Sequence, residues 1–241
     1  MENESGEWIT HGVRPDDPRC IHDTDQLLRI IDEVGFLPLF DCGIPGASVE
    51  ERTVPDFWWT GDEKNDPWEW RRIIAGSGKA AYGKFFDKKA GFVSLAWFPR
   101  LINARRDGYD FEGWWEDGKA TKRARSIMNL FDTRDELFSF DIKKLAGFGK
   151  DGEKNFDGTV TELMMRTFLT VKDFQMRLNR QGQPYGWHIA VYAPPEHIWG
   201  EDYVNRAETE KPDDSRARIR NHLRSLYPDI PEKLLTGVFG I

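Results

Sequence analysis

The sequence predicts an α+β fold: a winged helix-turn-helix over residues 116–192, an N-terminal α/β portion rich in tryptophan before it, and a short helical C-terminal tail after it. Three observations predict this. Between Lys122 and Phe168 apolar residues recur with the helical period of about 3.6 in three segments. Beyond Thr170 the period drops to 2, and the turn Asn179-Arg180-Gln181-Gly182-Gln183-Pro184 then reverses the chain. Three helices closed by a two-stranded hairpin is the winged-helix layout.

Taken in order, residues 1–22 read as an extended polar arm, and residues 23–115 as the aromatic-rich portion. Thr24 is placed to cap a helix over residues 25–34, with Leu27, Leu28, Ile31 and Val34 on one face and Gly35 ending it. The apolar segment 36–40 follows, and Pro38 puts it at a sheet edge or outside a ladder. Residues 43–70 are rich in turn formers and carry Phe57, Trp58, Trp59, Trp68 and Trp70. Residues 79–98 are apolar enough for two strands, or a strand and a short helix, closed by Pro99. Arg105 and Arg106 open a charged turn that leads into Trp114-Trp115.

In the next portion a helix is expected over residues 121–131. A second is capped by Asp135 or Ser139, turns Leu137, Ile142 and Leu145 inward, and stops at Gly147. Asp157 caps a third, in which Val160, Leu163, Met164, Thr167 and Phe168 form the buried face. Its outward positions are Thr161, Glu162, Met165 and Arg166. Across the hairpin Phe174, Met176 and Leu178 alternate on one strand and Trp187, Ile189 and Val191 on the other. Residues 193–241 form the tail, with helical pieces at about 215–226 and 231–235 packed back onto the body.

Composition is that of a folded chain, with 39% hydrophobic and 31% charged residues. No apolar run approaches the roughly 20 residues that span a bilayer. The acidic start lacks a basic and then apolar signal pattern, and two cysteines make no framework, so a cytoplasmic location is expected. The net charge of −7 argues against indiscriminate binding to phosphate backbones. Yet residues 121–192 carry 12 bases against 9 acids, whereas residues 1–60 carry 4 against 13. Any contact with nucleic acid, duplex DNA above all, is therefore expected from the later portion.

Gly76-Ser77-Gly78-Lys79 is no phosphate loop, because Ala80 stands where the magnesium-binding hydroxyl belongs. The five histidines have no ligand spacing, and the sequence asks for neither a metal nor a cofactor. Seven of the ten tryptophans lie between residues 58 and 115. They fill a core, or else Trp58, Trp59, Trp68 and Trp70 wall a pocket that stacks a flat ligand, with Trp68-Glu69-Trp70 on a turn beside Arg71 and Arg72.

The phrases GFLPLF (35–40), PWEW (67–70), AYGKFFDKKAGFVS (81–94), RRDGYDF (105–111), GFGKDGEKNFDG (147–158) and YGWHIAVYAPPE (185–196) together resemble a group of compact bacterial proteins described as AlkZ-related. The resemblance implies kinship with winged-helix DNA glycosylases that remove alkylated or crosslinked purines. Their hallmark is a Gln-x-Gln or Gln-x-Asp soon after an N-terminal helix. By that resemblance Pro38 and Phe40 stand at the two polar positions, and neither can hold a water or offset charge on a sugar.

Three readings follow. In one, a DNA-binding protein without the chemistry uses Lys143, Lys150, Lys154, Arg166, Arg177 and Arg180 on phosphates. In another, a glycosylase uses a substitute carboxylate among Glu51, Glu69, Asp107 and Asp110. In the third, the module binds a protein or small molecule instead.

Overall fold

The computed structural model describes residues 11–241, so the first ten residues of the expected arm lie outside the described residues. Residues 11–22 contain no helix or strand and are tied to the body by Val13 N–H to Thr53 O (3.0 Å) and Ile21 N–H to Arg52 O (2.7 Å).

Helix α1 (Thr24–Val34) is capped by Asp23 rather than Thr24, since the Asp23 carboxylate accepts from Gln26 N–H at 2.7 Å. Strand β1 (Phe36–Pro38) lies at the sheet edge, where the proline's missing donor costs nothing. After two short 3₁₀ turns, α2 (Pro67–Ser77) contains Trp68-Glu69-Trp70, which is helical and not the turn expected. Asp66 supplies the reason, accepting from Trp68 N–H at 2.8 Å, with Pro67 preorganised in the first turn.

Strands β2 (Ala80–Phe86) and β3 (Lys89–Ser94) form a hairpin, and α3 (Phe98–Arg106) follows. Pro99 begins that helix instead of closing the segment, and Arg105 and Arg106 are its buried last residues rather than a charged turn. Next come α4 (Phe111–Glu116), α5 (Lys122–Met128), β4 (Leu137–Phe138), α6 (Ser139–Leu145) and α7 (Phe156–Met165). Leu137 thus sits in a strand, and Leu145, expected inward, is 48% exposed at the end of a short helix. Neither Asp135 nor Ser139 caps α6, and α7 starts from Asn155 in the left-handed region instead of from an Asp157 cap. The hairpin β5 (Thr170–Leu178) and β6 (Pro184–Ala193) is antiparallel, as the change of period requires. The tail contains α8 (Pro195–Trp199), α9 (Glu201–Val204), α10 (Pro212–Leu226) and α11 (Glu232–Phe239).

Among the described residues six strands form one sheet in the order β1-β3-β2-β5-β6-β4, with every pairing of these strands antiparallel. The two hairpins join at Tyr82 opposite Val171, where Thr170 Oγ1 donates to Tyr82 O at 2.8 Å. Side chains alternate across this sheet. Leu37, Tyr82 and Phe92 enter a core shared with α1, α2, α5 and α7. Phe36, Ala81, Phe85 and Val93 enter a second core, closed by α3, α10 and α11. Burial on both faces explains why β2 and β3 read as mostly apolar runs, broken within β2 only by Lys84. The mixed α+β class is therefore present.

Arg105 and Arg106 tie these layers together. Arg105 donates to Phe85 O (2.6 Å), Phe239 O (2.7 Å) and Met165 O (3.0 Å), the carbonyls of β2 and of the last residues of α11 and α7. Burial lowers its pKa, and the nearby Arg166 charge acts in the same sense. The partial negative charge at two helix C-termini supplies the compensation. Gly240 belongs to the same arrangement: its φ is +63°, and a Cβ there would lie 2.9 Å from Arg105 Nη2. Arg106 donates to Thr167 O (2.8 Å), pairs with Glu196 (2.5 Å), and lies over the Phe168 ring.

Arg105→Met removes the guanidinium donor from three carbonyls, two of them buried, and should cost about 3–5 kcal/mol in urea unfolding. A loss below about 1 kcal/mol would show that the guanidinium does not hold the layers. Alkaline pH tests the buried phenols. Burial pushes Tyr82, Tyr192 and Tyr227 up to about 12 from the ordinary value of 10.0. The folded chain then keeps protons that the unfolded chain releases, so their contribution is complete below pH 10 and is lost as pH rises toward 12. The unfolding free energy measured in urea should fall between about pH 9.5 and 11, by on the order of 1 kcal/mol per phenol.

Candidate functional site

The outer half of the β5–β6 hairpin extends beyond both cores, and residues 177–188 are almost all exposed. Residues 174–195 contain no carboxylate, in a chain whose acids number 41 of 241. At that density several would be expected, so the stretch is a local exception to an acidic protein. The turn is well defined: Asn179 Oδ1 accepts from Gln181 N–H and Gln183 N–H, both at 2.9 Å. Arg177 and Arg180 are exposed there, and the Arg177 guanidinium lies 4.3 Å above the Phe140 ring.

The pairing is irregular at one place. Gln175 faces Ile189 and Arg177 faces Tyr185, so Met176 alone opposes Gly186, Trp187 and His188. Gly186 accommodates this bulge with φ +79°. Trp187, expected to alternate inward with Ile189 and Val191, is consequently turned out and 89% exposed. Leu178 is exposed as well, because past Met176 neither face of the hairpin has a core to enter. Between the hairpin and the start of α6 runs a groove of about 870 Å³, lined by Phe138, Phe140, Phe174, Met176 and Tyr185.

The third helix offers less surface than its periodicity suggested. Thr161, expected outward, is buried, and Lys84 Nζ on β2 donates to its hydroxyl at 3.3 Å. Lys88 N–H, at the β2–β3 turn, reaches the Met165 sulfur. The first hairpin therefore lies along α7, and of the expected outward set Arg166 alone is exposed rather than half-buried or buried.

The other basic candidates are dispersed. Arg166 sits at the end of α7 near Trp114, and its guanidinium donates to Arg105 O at 3.4 Å. Lys143 lies on α6 with its ammonium 6.0 Å from the Phe156 ring centroid. Lys154 donates to Gly149 O (2.7 Å) and to Lys150 O, so its charge closes its own loop. Arg177 and Arg180 share the hairpin tip, whereas Arg166 borders the Arg105 and Arg216 side of the molecule.

Trp58 and Trp70 are buried, with their indole N–H groups donating to Thr53 Oγ1 (3.0 Å) and Lys64 O (3.1 Å). Trp59 and Trp68 complete a ring cluster around Phe40 and Trp58. The flat cation stacked on Trp68 is the protein's own: Arg71 lies 3.5 Å above that ring and 4.2 Å from Phe174. Burial lowers the Arg71 pKa, and its Nε has no hydrogen-bond partner. The two cation–π contacts offset part of that desolvation.

All four candidate carboxylates are already engaged within the protein. Glu51 accepts from Gly46 N–H (2.8 Å), Ser48 N–H (3.2 Å) and Ser48 Oγ (2.7 Å). Glu69 pairs with Arg72 at 2.9 Å, and Asp107 with Arg216 at 2.8 Å. Asp110 caps α4 through Gly113 N–H (2.7 Å) but also lines two adjoining cavities of about 540 and 300 Å³. Both cavities share Arg106, Glu196 and Glu201, residues far apart in sequence that no motif connects. Among the described residues no group of three or more His, Cys, Asp or Glu is placed to hold a metal.

At residues 36–40 the backbone is fixed by Val49 N–H to Pro38 O (3.0 Å) and Glu50 N–H to Leu39 O (3.0 Å). The Phe40 ring lies 5.2 Å from Trp58 and 6.3 Å from Trp68, so this position faces aromatic surface. A family model described as AlkZ related matches residues 21–240, which is nearly the whole described chain. The chain belongs to the AlkZ-related family. The match takes in α1, both hairpins and the tail helices, so the AlkZ-related unit includes the entire six-stranded sheet. No curated protein and no solved structure matches the chain.

Proposed function

We propose that this AlkZ-related chain binds duplex DNA through the β5–β6 hairpin, acting as the wing of a winged helix, and does not excise bases by the glycosylases' Gln-x-Gln/Asp route. The observation that carries the reading is the carboxylate-free stretch 174–195, the outer part of the hairpin beyond Asp173, with Arg177 and Arg180 at its free end. A protruding cationic tip on a chain of net charge −7 favours a polyanion approached tip first. The element order also supports the reading: helix α5, strand β4, helices α6 and α7, then the hairpin, with β4 paired to β6. Because β2 and the β2–β3 turn lie along α7, the wing carries the contact and the third helix does not enter a groove. Lys143, Lys150, Lys154 and Arg166 are secondary phosphate contacts in this reading. Phe40, surrounded by Trp58 and Trp68, supports the absence of the polar catalytic pair.

Arg177→Ala combined with Arg180→Ala should weaken duplex binding about tenfold or more near 100 mM salt. The slope of log K against log salt should become shallower by about 2. Unchanged affinity at two salt concentrations would remove the hairpin from the interface. A second reading has one observation in its favour, the position of Asp110 at the two cavities. Incubation with alkylated duplex should yield no abasic sites above a buffer control. Abasic sites that disappear in Asp110→Ala would instead establish excision through that carboxylate.

A further inference from the structure

The hairpin combines uncompensated positive charge with an unusual amount of exposed ring surface. Phe138 and Phe140 stack at 5.1 Å with 21° between their planes, and both line the groove of about 870 Å³ beside β5 and β6. Tyr185 and His188 form part of the same lining, and the bulge turns Trp187 outward one residue before His188. A fully paired duplex offers phosphates to such a surface but keeps its base faces stacked on one another. Aromatic rings next to arginines, with Tyr185 exposed and Phe138 and Phe140 half-buried, match the π-faces of bases that have left the stack. We infer that the groove between α6 and the β5–β6 hairpin takes an unpaired nucleobase, so that the protein selects DNA containing a bulged or single-stranded nucleotide.

This inference rests on the hairpin reading above and specifies its substrate. Charge and ring surface divide the work. Arg177 and Arg180 hold the backbone, and the Arg177 guanidinium over Phe140 borders the place where a base lies. The rings supply sequence-tolerant stacking, worth about a tenfold gain in affinity per base. The groove has room for this: about 870 Å³ is toward the upper end of typical small-ligand sites, roughly 300–1,000 Å³. Asp141 is the one carboxylate in the lining, so the anionic backbone has a single repulsive neighbour there.

The test uses the full chain with two labelled duplexes of equal length, one fully paired and one with a single bulged 2-aminopurine. Fluorescence anisotropy gives affinity, and 2-aminopurine emission gives stacking. The bulged probe should bind about tenfold more tightly, with its emission quenched on binding. Tyr185→Ala, a change at an exposed position of the groove that leaves both cores intact, and Phe140→Leu should each reduce that preference severalfold. Phe140→Tyr should restore it. Equal affinity of the unsubstituted protein for both probes overturns the inference and leaves duplex binding by the hairpin standing. Failure to bind either probe overturns the hairpin reading itself. Arginine-dependent binding to phosphatidylserine vesicles without binding to either probe overturns both, and makes the tip a membrane contact.

Discussion

The arrangement of layers depends on two adjacent guanidinium groups at the end of α3. Arg105 reaches carbonyls of β2, α7 and α11, and Arg106 reaches Thr167 O and Glu196. A buried cation is tolerated only where fixed polar groups replace its water shell. Here the replacement comes from four carbonyls and one carboxylate, contributed by segments that the chain makes early, midway and last. The sheet can be covered on both faces because these groups fix where the ends of α7 and α11 lie. Hydrophobic burial alone would let either helix slide along its apolar stripe. Directional hydrogen bonds to a rigid fork do not.

That constraint has a functional corollary. Once β2 and the turn after it lie against α7, the helix that commonly reads a DNA groove in this layout has lost most of its outer surface. Exposed cationic surface remains at the hairpin tip, while the rest of the body carries excess acid. Repulsion from the body and attraction to the tip favour one approach of a polyanion over others. Under the proposed function the body is a scaffold presenting a short arm, and the two cores hold the base of that arm in place.

Local features were legible in the sequence, and long-range ones were not. The hairpin at 170–193 and the buried face of α7 follow from periodicity, because each is decided by neighbours a few residues away. The start of α2 was equally local, in Asp66-Pro67, but a dense run of turn formers around it obscured the signal. Thr161 looked free because Lys84, which covers it, belongs to a strand far back in the chain. Arg71 looked like an open partner for a ligand because the Phe174 ring that closes over it arrives only through the sheet. At the candidate site, Arg177 and Arg180 could be found from the turn they occupy, and the run without carboxylates around them was there to be counted. The eversion of Trp187 was not legible, since a bulge is a mismatch between two strands and neither strand encodes it alone. The cavity beside Asp110 is built from residues scattered between Ile102 and Glu208, with no spacing to betray it.

The bulge at Gly186, Trp187 and His188 also bears on solubility. β4 covers only Val191 and Tyr192, so among the described residues the outer edge of β6 nearer the tip has no neighbouring strand. A long regular edge of this kind invites another chain to add on and extend the sheet. Three residues set against one break the hydrogen-bonding rhythm that an incoming strand would have to match. The same kink that presents an indole to solvent thus protects the molecule against polymerising along its most exposed border.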